Sequence, residues 1–197
     1  MRHTSRHRAG FTLIELLMVI ALVSVLAAVV LPSAEPSLND QLRAMGRILA
    51  TDLAYARSLA VTNHSTYRVV FDVKNNRYLL EHSGSNPTLD LLPESPFSRV
   101  AGPQRQMVVV LDDLPSLGTR VRLEAVVDAS ARELDDVEFG PLGETTRPGQ
   151  TIVWLSGGST TRKRYTRLVV QPATGLTEVG GSTEYGPSQG VTTPASP

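Results

Sequence analysis

After a polar start, the chain runs through residues 11–31 (FTLIELLMVIALVSVLAAVVL), where Glu15 is the only charge. At about 1.5 Å per helical residue this run reaches roughly 31 Å, the thickness of a bilayer's hydrocarbon. Pro32 and Pro36 then predict a kink or break. Leu38, Leu42, Met45, Leu49, Leu53, Ala56 and Ala60 recur at spacings of three and four, predicting a second helical stretch that ends near Asn63-His64. Its apolar stripe is expected to lie against the protein's own sheet, with Arg43, Arg47, Asp52 and Arg57 toward water or a partner. The period then changes to two. Thr66–Val73 and Arg77–His82 flank Lys74-Asn75-Asn76 and read as a hairpin.

Residues 83–105 carry Gly84, Pro87, Pro93, Pro96, Gly102 and Pro103 and predict a long surface connection. Further strands are predicted at Met107–Leu111, Val121–Val127, Val137–Phe139, Thr151–Leu155 and Tyr165–Val170. One long helix followed by many short strands predicts an α+β domain, the helix packed on an antiparallel β-sheet head. Gly140, Gly143 and Gly175 read as turn residues, Phe139 and Trp154 as core aromatics. The segment from Gly181 onward has little apolar surface to bury and reads as a disordered tail.

Composition changes this picture in two places. The chain has 197 residues, no cysteine, and 19 Lys plus Arg against 19 Asp plus Glu. Without cysteine there is no disulfide, no thiolate catalysis and no sulfur-ligated metal. The neutral balance hides an asymmetry, because residues 1–10 hold Arg2, Arg6 and Arg8 and no acid. A basic start before an apolar run is the mark of a secretory signal peptide or a signal anchor. The apolar core of a signal peptide is about 7–15 residues long, shorter than this one, and ends in a small-x-small cleavage site. Cleavage after Ala34 would put Pro32 at the third position back, and cleavage after Ala27 would fall inside the apolar run. An ordinary signal anchor accounts for length and orientation but leaves Glu15 unexplained.

Gly10-Phe11-Thr12-Leu13-Ile14-Glu15, followed by an apolar helix and Pro32, resembles the class III signal of type IV pilins and type II secretion pseudopilins. The resemblance implies cleavage between Gly10 and Phe11 by a prepilin peptidase on the cytoplasmic side, then N-methylation of Phe11. It also implies that Glu15 pairs with the terminal amine of a neighbouring subunit during assembly. The electrostatics agree with such a role, since a carboxylate at bilayer depth is costly without a partner and is favoured near a helix amino terminus.

A second resemblance, to the GspH/FimT minor pseudopilins, rests on Ala54-Tyr55-Ala56-Arg57-Ser58-Leu59-Ala60-Val61 and on Val137-Glu138-Phe139-Gly140-Pro141-Leu142-Gly143. It extends to Thr151–Leu155, Leu168–Val170 and Thr174-Gly175. That family commonly has a basic residue after the Thr-Gly pair, where this chain has Leu176.

Catalytic chemistry is not in evidence. His3 and His7 lie in the leader, and His64 and His82 are isolated, so no metal-ligand spacing appears. Asp112-Asp113 and Asp135-Asp136 are adjacent pairs that point apart on a strand or cap a turn. A calcium site there, as in some major pseudopilins, is the minor alternative. The expectation is a protein that is not an enzyme and has neither cofactor nor metal site. Arg162-Lys163-Arg164 with Arg167 is the one basic cluster, a candidate nucleic-acid contact of the kind attributed to some FimT-like pilins. A solvated hairpin turn is the preferred reading, and nucleic acid is not the expected partner.

The expected organisation is a cleaved leader over residues 1–10, a transmembrane half-helix over 11–31 and a periplasmic half-helix over 32–64. A pilin-like β-rich head over 65–180 and the tail over 181–197 complete it. The resemblances imply a minor pseudopilin, single-pass in the inner membrane with its amino terminus cytoplasmic and its head periplasmic. Its partners would be prepilin peptidase, other major and minor pseudopilins, the inner-membrane assembly platform and membrane lipid. A minor pilin of a type IV pilus, including a DNA-uptake receptor, and a signal-anchored periplasmic binding domain are the alternatives.

Overall fold

The computed structural model describes residues 11–30, 37–92, 106–114, 121–159 and 162–187. The chain divides into two compact units, Met1–Pro36 and Ser37–Pro197. In the first, helix α1 spans Leu13–Val30. In the second, helix α2 spans Leu38–Asn63 and is followed, among the described residues, by eight strands.

Helix α2 has a clear start and stop. Ser37 is its N-cap, its hydroxyl accepting the Asp40 N–H at 3.2 Å, which satisfies one of the orphan donors of the first turn. At the other end His64 takes a left-handed conformation (φ 49°), and its N–H and that of Ser65 reach back to Val61 and Ala60 carbonyls. This closure serves the last carbonyls as a glycine would. The stripe read from the sequence is the buried one: Leu42, Met45, Leu49, Leu53, Ala56 and Ala60 are all inaccessible. Gln41 and Gly46 join it. Gly46 is there for close approach, since a Cβ at that position would stand 2.9 Å from Val179 Cγ1.

The strands form two antiparallel sheets of four, where a single sheet was the simpler expectation. In the first, β3 (Gln106–Val110), β2 (Arg77–His82), β1 (Tyr67–Asp72) and β5 (Asp136–Phe139) lie in that order. In the second the order is β4 (Val121–Asp128), β6 (Thr151–Gly157), β7 (Arg164–Val170) and β8 (Thr177–Val179). Residues from both sheets and from α2 make one core, among them Tyr67, Val69, Leu80, Phe139, Val153, Leu155 and Leu168. The β1–β2 hairpin has the predicted turn, with Asp72 paired to Arg77 and Asn76 in a left-handed conformation. In β4 the register slips between Leu123 and Ala125, so Val126 returns to the core and Glu124 is left on the outer side.

Trp154 is buried as expected, but with Val127 and Ile152 in a second cluster rather than in the main core. Alternation explains this, because Val153 and Leu155 already take the inner face of β6.

Two further differences from the sequence reading are evident. Strand β8 was not foreseen. Residues 181–187, expected to be disordered, continue alongside β7 through a Tyr165–Thr183 bridge, and Ser182 bonds Asn39 at 2.9 Å. The rest of the expected tail, residues 188–197, lies outside the described residues, as do the leader and Pro32.

Asp52 of α2, expected to face water or a partner, is half-buried against the first sheet. It accepts a hydrogen bond from the Tyr78 hydroxyl of β2, and burial raises its pKa from the ordinary 3.8 more than that bond lowers it. A carboxyl whose folded pKa is raised favours folding at low pH, and that contribution is lost as pH rises through the folded value. Asp52→Asn keeps an acceptor for Tyr78 without the charge. Thermal unfolding at several pH values is expected to show the variant at least as stable as the parent above neutrality. Its advantage should shrink as pH falls toward the ordinary carboxylate range, and a loss of stability at neutral pH would contradict this assignment.

Candidate functional site

Of the predicted processing residues, Gly10 lies outside the described residues, while Phe11 is 81% exposed just before α1. Glu15 sits in the first turn of α1, its N–H bonded to the Thr12 carbonyl at 3.1 Å and hydroxyl at 3.3 Å. Thr12 therefore acts as an N-cap. Every large side chain from Leu13 to Leu26 is exposed on all sides of α1, among them Ile14, Leu17, Ile20 and Val23. A helix apolar all round needs lipid or other helices about it. Its 18 residues measure about 27 Å against roughly 30 Å of hydrocarbon. Among the described residues no helix is long and apolar enough to cross a membrane, and Leu31, which extends the apolar run, lies outside them.

The structure separates the four basic residues of the second candidate site. Lys163 lies on the outer side of the second sheet and bonds both oxygens of Glu124 at 2.9 Å, its ammonium 5.3 Å from the centre of the Tyr165 ring. Burial pushes the Glu124 carboxyl up, but hydrogen bonds from Lys163 and Ser156 outweigh it and hold the group below its usual value. The bond to Glu124 likewise raises Lys163. Arg164 pairs with Glu184 at 3.0 Å. Arg167 lies opposite Trp154, and its carbonyl accepts the Gly180 N–H. Arg162 is exposed, with no carboxylate in ion-pairing range among the described residues. Arg147, near this cluster only in sequence, is engaged elsewhere by Asp136. The four do not form a continuous basic face.

The turn motifs of the second resemblance converge on one side chain. Arg57 of α2 donates to the Gly143 carbonyl at 3.1 Å and the Thr174 carbonyl at 2.6 Å. Gly143 (φ 87°) and Gly175 (φ 63°) need the left-handed region, and a Cβ at Gly175 would stand 2.2 Å from the Gly143 carbonyl oxygen. Arg57 thus ties the helix to two turns. Leu142 and Leu176 beside them are exposed.

One constellation escaped sequence reasoning. His82, read as isolated, bonds Asp90 through Nδ1 at 2.7 Å and Ser65 through Nε2 at 2.7 Å. The order is that of a Ser-His-Asp relay, whose recognition depends on geometry and not on sequence position. Its surroundings are those of a staple. The His82 side chain is wholly buried, and a Cβ at Gly84 would meet Ser65 Oγ at 2.1 Å, so the hydroxyl is packed against backbone. The contact pins the chain after β2 to the end of α2. No sequence spacing announces it, because the partners come from three separate segments.

Against known proteins, residues 5–31 match the prokaryotic N-terminal methylation motif. No curated protein matches the chain. Among solved structures, the chain is similar to the type IV minor pilin FimU of Pseudomonas aeruginosa strain PAO1. In space group P21 the TM-score is 0.44 at 17% identity, covering 73% of this chain and 92% of that one. In space group P65 the values are 0.43 and 18%, covering 73% and 98%. The chain carries a prokaryotic N-terminal methylation motif on an exposed apolar helix, joined in sequence to an α+β head.

Proposed function

We propose that this protein is a minor pseudopilin: a membrane-anchored structural subunit of a type II secretion pseudopilus, acting by assembly and not by catalysis. The observation that carries the reading is the methylation motif over residues 5–31, which coincides with a helix exposing apolar side chains all round and a single acid in its first turn. Prepilin peptidase cuts between Gly10 and Phe11 and methylates Phe11. The apolar helix holds the chain in the inner membrane, amino terminus toward the cytoplasm and head in the periplasm. Glu15 then pairs with the terminal amine of another subunit as α1 enters the filament. Neighbouring major and minor pseudopilins and the assembly platform are its partners.

A minor pilin of a type IV pilus is the second reading, favoured by the same motif, which both machines share. Deleting the gene in its host separates them. Loss of secreted enzymes from the medium with surface pili intact is the expected result. Loss of pili or DNA uptake with secretion intact would transfer the protein to the pilus.

A further inference from the structure

The two sheets have outer edges that the chain treats differently. Beyond β5, the Thr146 N–H bonds the Glu138 carbonyl at 3.0 Å and the Gly140 N–H bonds the Glu144 carbonyl at 2.8 Å, so that edge is covered. Beyond β4, the Asn76 amide takes the Val121 carbonyl and the Leu123 N–H, while the Leu134 N–H bonds Val126 and the Asp128 N–H bonds Arg132. Strand β3 adjoins segments outside the described residues. Strand β8 has no such cover. In its ladder with β7 the Gln171 N–H bonds the Leu176 carbonyl at 2.9 Å, and the Gly180 N–H bonds the Arg167 carbonyl at 2.8 Å. Antiparallel bonding alternates, so Leu176, Glu178 and Gly180 turn their backbone groups toward β7, and Thr177 and Val179 turn theirs away. The N–H and carbonyl groups of Thr177 and Val179 have no hydrogen-bond partner among the described residues. The edge stays regular as far as Gly180, because the register slips by one before the Tyr165–Thr183 bridge.

The side chains along this edge carry charge without a partner. Glu178 is exposed, opposite Val169 on the outer face of the second sheet, and Arg167 lies on the same face beside Gly180. A Cβ on Gly180 would stand 3.1 Å from Arg167 Cγ and 3.7 Å from its Nε, so the arginine leans across the glycine toward the open edge. Neither Glu178 nor Arg167 is in an ion pair among the described residues, and the nearby acid Glu184 is taken by Arg164. On the inner face Val179 packs on Gly46, and Arg57 bonds the Thr174 carbonyl, so α2 and β8 run side by side. Helical spacing sets Ala50 and Ala54 on the flank between these contacts, and the charges Asp40, Arg43 and Arg47 lie closer to the helix start.

We infer that the open edge of β8 receives an extended segment of a partner protein as a further antiparallel strand, with an acidic side chain opposite Gly180, beside Arg167, and a basic one two residues later, opposite Glu178. The free backbone groups of Thr177 and Val179 match the main chain of any extended segment and supply affinity, while alternate side chains choose the partner. The direction follows the sheets, in which every pairing is antiparallel. Side chains on the other face of the added strand meet Thr177, Val179 and the alanine flank of α2, which suits valine or another β-branched residue. Within Thr177–Gly180 there is no Lys, Pro or bulge to blunt the edge, and an occupant removes the hazard that an open edge presents.

The test uses the full chain in detergent micelles and a short blocked peptide that alternates valine with one glutamate and, two residues later, one lysine. Amide hydrogen exchange is read residue by residue. Without peptide, Thr177 and Val179 are expected to exchange much faster than Glu178, whose N–H faces β7. Saturating peptide should slow both severalfold, and a peptide with its two charges exchanged should bind severalfold more weakly. Arg167→Gln should weaken binding of the first peptide with little change in melting. Arg167→Glu with Glu178→Lys should reverse the preference between the two peptides. Thr177→Pro removes an N–H that the ladder does not use, so it should abolish the slowing at Val179 while the chain stays folded. The charge reversal decides the matter even where the proline variant does not fold. Thr177 and Val179 amides as slow as Glu178 in the chain alone, whatever its concentration, would mean a covered edge and overturn the proposal. Peptide that slows neither amide up to its solubility, or binds equally in both charge orders, also overturns it. Slowing that grows with protein concentration and needs no peptide would give the edge to a second copy of the chain instead.

Discussion

Asn76→Ala is expected to destabilise the head by about 3–5 kcal/mol. Asn76 is 1% exposed, in the turn between β1 and β2. Its amide nitrogen donates to Asp112 Oδ1 at 2.7 Å and to the Val121 carbonyl at 3.2 Å, and its Oδ1 accepts the Leu123 N–H at 2.8 Å. The turn of the first sheet is thereby bonded to the first residues of β4 in the second. Truncation strips partners from a buried carbonyl and a buried N–H, and each such group left alone costs about 1–3 kcal/mol. The backbone adds to this, because φ is 50° at this position and alanine tolerates the left-handed region less well than asparagine. With about 2–4 °C lost per kcal/mol in a domain of this size, the melting temperature should fall by roughly 10 °C. Asn76→Gly relieves the backbone strain but not the lost bonds, so it should recover at most about 1 kcal/mol. A change below 1 kcal/mol for Asn76→Ala, measured by denaturant unfolding of the full chain, would remove this side chain as the link between the sheets.

Glu15→Ala is expected to lower incorporation into the filament roughly tenfold, a difference of about 1.4 kcal/mol in recruitment. The acid stands in the first turn of an exposed apolar helix, close to the amine that the proposed cleavage before Phe11 would create. An unpaired carboxylate at the centre of a bilayer costs about 2.5–3.5 kcal/mol on insertion scales, so a subunit that offers it a positive partner draws it out of lipid. Alanine removes both the cost and the attraction. Membrane insertion and leader cleavage should therefore be unchanged while recovery of the protein with sheared or cross-linked filaments falls. Glu15→Gln should behave like alanine, since the charge and not the shape is at issue. Incorporation within twofold of the parent would assign Glu15 no part in assembly.

What the sequence disclosed and what it hid divide along the range of the interactions. The α2 stripe from Leu42 to Ala60 and the 67–82 hairpin were legible because each is written in a local period, 3.6 or two, and each has its own stop signal. Strand β8 was not, because Thr177–Val179 is three residues between glycines and becomes a strand through pairing with Leu168–Val170. Asn76 reads as ordinary turn chemistry, and nothing near it in the chain tells of Val121 and Leu123. Lys163 looked like one member of a basic run until the slip in β4 set Glu124 against it. The same limit applied to the site. Phe11 and Glu15 belong to a contiguous signal and were visible at once, whereas the Ser65-His82-Asp90 staple and the Arg57 tie are assembled from distant segments by the fold.

The proposed processing would also change the charge of the protein. Removal of residues 1–10 takes away three of its nineteen basic side chains and none of its acids, leaving sixteen against nineteen. On the proposed processing, a neutral precursor becomes a mildly acidic mature chain.

The central claim, that this chain is matured as a pilin-like subunit, is tested most directly by the intact mass and amino-terminal peptide of the protein extracted from membranes of a host with a prepilin peptidase. The account predicts a chain beginning at Phe11 and heavier by one methyl group on its terminal amine. A chain that retains residues 1–10, or begins beyond the apolar run, would contradict it.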